Sequence, residues 1–107
     1  MKDIEATIRR HALQRLALVF SVEIDALSPA SRFGEDLKAR PASDFKANEF
    51  DIIDGDIKDV ADKPLLKAMS RGELEIRTVA DYCDHMVFCY ATKPRDVSRL
   101  LSLPQAS

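Results

Sequence analysis

The sequence predicts an all-α fold: a four-helix bundle with a long first loop and an extra short helix at the C-terminus. Three observations carry this expectation. Apolar residues recur at helical spacing in several separate stretches. Residues suited to helix starts and stops, namely Ser43, Pro64, Gly72 and Thr78, fall at the ends of those stretches. No convincing strand pattern emerges between them.

The first helix is expected over residues 3–20, where Ile4, Ile8, Ala12, Leu13 and Leu16 form one stripe with Arg9, Arg10 and Arg15 between them. Residues 21–42 read as a loop, because Ser28-Pro29 and Arg40-Pro41 both disfavour helix at the residue before proline. Val22, Ile24, Leu27, Phe33 and Leu37 recur along it and are expected to pin it to the core. A second helix is predicted from Ser43 toward residue 62. Ser43 suits the cap, Asp44 the first turn, and Phe50, Ile53, Ile57 and Val60 form the stripe, with Phe45 joining it less regularly. Gly55 lies inside this run and marks a possible bend that would shorten the helix. Pro64 opens a short third helix that Gly72 ends. Thr78 caps a fourth, with Val79, Tyr82, Cys83, Met86 and either Phe88 or Cys89 inward. Residues 94–103 form the last element, with Val97, Leu100 and Leu101 as an apolar stripe expected to pack on the bundle itself.

Length and composition bound the function. At 107 residues the chain is one domain's worth, divided here into a bundle over 1–90 and an extension over 91–107. It is 46% hydrophobic and 32% charged, the balance of a folded chain. No apolar run reaches the ~20 residues of a membrane span, and the start of the chain has no apolar signal core, so a cytoplasmic monomer is expected. A formal net charge of -2 argues against nucleic acid as the main partner. That total conceals an asymmetry. Residues 43–62 hold seven acidic residues against two lysines, net -5, while residues 1–21 and 87–107 are each net +2. An acidic segment of this kind draws basic partner surfaces.

Catalytic and metal chemistry find little support. Asp54-Gly55-Asp56 fails as a calcium loop, since Phe50, Ile52 and Ala61 stand where ligands belong. Cys83 and Cys89 lie six apart, on nearly opposite faces of the predicted helix, and read with His85 as core residues rather than a metal or redox set. His11 has no cysteine or carboxylate partner in its own helix. No arrangement suggests catalysis by this chain alone, and none suggests a metal site.

Two segments carry a family resemblance. Leu27-Ser28-Pro29-Ala30-Ser31-Arg32-Phe33-Gly34-Glu35-Asp36-Leu37 resembles the first loop of acyl carrier proteins, where Phe-x-Glu-Asp-Leu precedes the modified serine. Ile76-Arg77-Thr78-Val79-Ala80-Asp81 is similar to the Ile-x-Thr-Val start of that family's last helix. The resemblance spans roughly residues 3–87 and implies an acyl-carrier-like four-helix bundle. It also implies that Ser43 carries 4'-phosphopantetheine and holds an acyl group as a thioester. Asp44, Glu49, Asp51, Asp56 and Asp59 would then present an acidic surface to a phosphopantetheinyl transferase and to acyl-processing enzymes. The chain departs from the family pattern at the serine, reading Ala42-Ser43-Asp44-Phe45 where the family has Asp-Ser-Leu. Two readings therefore stand: a carrier, or a carrier-fold interaction or regulatory module without a prosthetic group.

Overall fold

A helix remains in a protein when one face of it is buried by a neighbour. The computed structural model describes residues 2–33 and 49–103 and contains five α-helices, with no strand among those residues. They are α1 (Lys2–Phe20), α2 (Glu49–Val60), α3 (Lys63–Ser70), α4 (Val79–Tyr90) and α5 (Pro94–Leu101). A 3-10 turn at Ile24–Ala26 interrupts the described part of the loop after α1.

The centre of the bundle is α4, which packs against α1, α2 and α5. Its Val79, Tyr82, Cys83, His85, Met86 and Cys89 are buried. Because neighbours surround α4 on three sides, Cys83 and Cys89 are both buried despite their angular separation. The alternative of an inward Phe88 is excluded, since Phe88 is 63% exposed while Cys89 is fully buried. α1 contributes Ile8, Ala12, Leu16 and Phe20, one residue per turn, and α2 contributes Ile53, Ile57 and Val60. Val97, Leu101 and Leu103 of the C-terminal segment belong to the same core cluster, so the last helix packs on its own bundle.

Local chemistry fixes the ends of these elements. Thr78 caps α4 through a reciprocal box: its hydroxyl accepts from the Asp81 N–H at 3.1 Å, and the Asp81 carboxylate accepts from the Thr78 N–H at 3.1 Å. Asp62 caps α3 by accepting the Leu65 N–H, and Gly72 follows that helix with φ of +75°. α2 runs unbroken through Gly55, which settles the question the glycine left open, and a Cβ placed there meets nothing within 4 Å. α2 has no glycine cap; the Ala61 N–H closes on the Lys58 carbonyl at 3.2 Å, and other elements reach further carbonyls at this end. The Ile57 carbonyl accepts from His85 Nε2 at 2.8 Å, and Lys93 Nζ donates to the Asp59 and Ala61 carbonyls at 3.3 and 3.5 Å.

The first loop reaches the start of α4. The Phe33 N–H donates to the Arg77 carbonyl, Val79 N–H to Ser31 and Ala80 N–H to Pro29, all at 2.9–3.0 Å. Arg32 and Thr78 form an isolated antiparallel bridge at the same place. The stacked rings of Phe20 and Phe33, 5.9 Å apart, tie the loop to the end of α1.

Candidate functional site

The acidic segment resolves into two kinds of residue. Asp51, Asp54 and Asp59 are exposed on α2, with Asp54 bound to Lys58 at 2.9 Å. Asp56 is not on that surface, which corrects its expected role in partner docking. It is only 3% exposed, because it falls on the apolar stripe of its own helix, three residues after Ile53 and four before Val60. Arg15 of α1 grips both of its oxygens, Nε to Oδ2 and Nη2 to Oδ1, each at 3.0 Å. The Tyr82 hydroxyl of α4 donates to Oδ2 at 3.0 Å. One carboxylate thus joins three helices. Its hydrogen bond raises the Arg15 pKa further, while burial chiefly, and then the Asp56 charge, push the Tyr82 phenol upward. The sequence contained the signal: a carboxylate at core spacing, with an arginine near the stripe of α1.

Ser43 and Asp44 lie outside the described residues, as does the side chain of Glu49. Of the residues expected to meet partners, Asp51 and Asp59 are the two whose exposed side chains are described.

Two clefts of about 340 Å³ each flank α3. The first lies between α3 and α4 and is lined by Leu65, Leu74, Ile76, His85 and Phe88, with Glu75, Asp81 and Asp84 also contributing. The second lies between α2 and α3, where Ile57, Leu66, Met69, Leu74 and Ile76 meet Asp54, Lys58 and Ser70. They exist because α3 buries none of its residues fully and leans on the bundle through Leu65 and Met69. No α5 residue lines either cleft. Their size is at the lower end of the ~300–1,000 Å³ usual for ligand sites. Sequence periodicity indicated the helices but not these clefts, which arise from loose packing rather than from any motif.

His85 forms part of the first cleft's wall. Its bond to a carbonyl requires the proton on Nε2, and burial lowers its pKa below the usual value. The Cys89 thiol lies 3.6 Å from His85 Nε2 and 3.9 Å from Nδ1. Burial raises both Cys83 and Cys89 to about 11, so neither is a thiolate at neutral pH. No group of three metal-ligating side chains occurs among the described residues, and no helix among them is long and apolar enough to cross a membrane. No family model, curated protein or solved structure matches the chain.

Proposed function

We propose that this chain is a carrier of acyl-carrier type, in which Ser43 bears 4'-phosphopantetheine and an acyl thioester is passed between cytoplasmic enzymes. The observation that carries this reading is the open cleft between α3 and α4, mainly apolar and free of α5, with a second and more polar cleft between α3 and the acidic α2. An acyl chain needs an apolar shelter of this kind that it can leave without unfolding its host. The fold side of the reading is supported by the clasp between 29–33 and 77–80, which brings together the two segments that resemble the family. Asp51 and Asp59 supply part of the acidic surface that would steer a phosphopantetheinyl transferase and acyl-processing enzymes.

The test is intact mass after incubation with coenzyme A and a broad-specificity phosphopantetheinyl transferase. One added phosphopantetheine, abolished by Ser43→Ala, is the expected result. No addition, or addition that survives the substitution, refutes the carrier role. A second reading, an interaction module on the same fold without prosthetic group, is favoured by one specific observation. Phe88, 63% exposed at the cleft between α3 and α4, offers an aromatic side chain for a partner to cover.

A further inference from the structure

The second half of α1 turns one side to solvent. Arg10, Gln14, Leu18 and Ser21 follow one another at steps of four, four and three residues, and all four are exposed. Leu18 stands out on that line, with 74% of its surface in water. One exposed leucine is ordinary, but the end of the helix adds further apolar surface beside it. Ser21 takes the left-handed conformation with φ of 56°, and the helix closes in a Schellman turn. The Ser21 N–H donates to the Leu18 carbonyl at 3.3 Å, and the Val22 N–H donates to the Ala17 carbonyl at 3.0 Å. The chain folds back there, so Val22 and the exposed Ile24 stand beside Ala17 and Leu18 around a shallow hollow of about 490 Å³.

The two ends of this strip carry opposite charge. Arg10 lies two turns before Leu18, about 12 Å along the axis at ~1.5 Å per residue. Glu23 lines the hollow at the other end, and Asp25 follows two residues on. All three side chains are exposed, and none makes an ion pair among the described residues. A strip with a cation at one end, an anion at the other and an apolar middle is complementary to itself when reversed. We propose that two copies of this chain associate through this side of α1, antiparallel about a two-fold axis between Gln14 and Leu18. Each Arg10 then faces Glu23 of the other copy, and the two Leu18 side chains pack across the axis with Ala17. The contact is small, so the pair is weak, and the monomer expected from the sequence is the state at low concentration. Neither Ser43 nor the clefts beside α3 take part, so this proposal stands or falls separately from the carrier role.

Sedimentation equilibrium of the full chain over a range of concentrations is the test. A monomer–dimer equilibrium that stops at the dimer is expected, with a dissociation constant on the order of 10–100 µM. Leu18→Lys should weaken association by roughly tenfold or more. Its helical circular dichroism should stay unchanged, because that side chain lies mostly in water. Arg10→Glu and Glu23→Arg should each weaken the pair by about threefold or more, since each sets like charges opposite one another. The double variant carrying both should recover most of that loss, because the same pair is rebuilt with its signs exchanged. Any of four results overturns the proposal: a chain still monomeric at about 1 mM, assembly that grows past the dimer, unchanged association of Leu18→Lys, or a double variant no stronger than the single ones.

Discussion

Replacing Asp56 by alanine removes the carboxylate that joins α1, α2 and α4, and its cost can be built from the groups left behind. The Tyr82 ring is fully buried and its hydroxyl has Asp56 as its acceptor, so the substitution strands a buried donor at about 2 kcal/mol. Arg15 fares better. Its side chain keeps 28% exposure, so water replaces part of what it loses, and about 1 kcal/mol is a fair charge for the remainder. The expected loss of about 3 kcal/mol lies at the lower end of the ~3–5 for a broken buried pair. It is a large share of the ~5–15 kcal/mol that stabilises a small domain. The sharper test is the second substitution. Tyr82→Phe alone should cost about 1 kcal/mol, since it gives up one hydrogen bond. In the Asp56→Ala background the same change removes the stranded hydroxyl, so the double variant should be more stable than Asp56→Ala by about 1 kcal/mol or more. Urea unfolding with a shared m-value measures all three. If Tyr82→Phe destabilises both backgrounds equally, the hydroxyl has another partner and the three-helix joint is not the coupled unit described.

Three further outcomes follow from other parts of the bundle. Gly55→Ala should stabilise the chain by ~0.5–1 kcal/mol, because the glycine sits inside a continuous helix with open space at its Cβ; a lower urea midpoint would contradict that. His85 has its pKa lowered by burial, so the unfolded chain binds the proton more readily than the folded one. Stability should therefore be full above the unfolded value of about 6.5 and fall as pH drops below it, and His85→Gln should flatten that slope in urea midpoints taken at about pH 7.5 and about pH 5.5. The thiols of Cys83 and Cys89, both raised to about 11 and buried, should resist a disulfide reagent at neutral pH and react fully in urea; fast native labelling would show the core to be more open than described.

Much of the fold was legible because its helices are amphipathic in the ordinary way. The stripes of α1 and α4, the cap at Thr78 and the stop at Gly72 all fall where periodicity and capping chemistry put them. Gly55 was the weakest point of that reading. A glycine inside a helix lowers local propensity, but Ile53, Ile57 and Val60 bury enough surface to hold the helix through it. The clefts were not legible, because they depend on how closely α3 approaches the bundle. Leu65 and Met69 are only half-buried there, a tertiary outcome that spacing along one helix does not encode.

The acidic segment shows why a charge count misleads about a surface. Seven acidic residues between 43 and 62 looked like one face, but a helix distributes consecutive residues around its axis at ~100° each. Asp51 and Asp59 point outward, whereas Asp56 shares the direction of Ile53, Ile57 and Val60. A carboxylate in that direction must find a partner or cost several kcal/mol, so its presence implies a cation and a donor on the facing helices. Arg15, one residue before the buried Leu16, and Tyr82, inside the stripe of α4, are those two groups. The argument also runs from structure to partner. With Asp56 committed inward, a docking surface of the proposed kind on α2 would have fewer charges than the sequence total suggests; if the proposal holds, charge reversal at Asp59 should weaken association of a basic partner, while reversal at Asp56 should unfold the chain first.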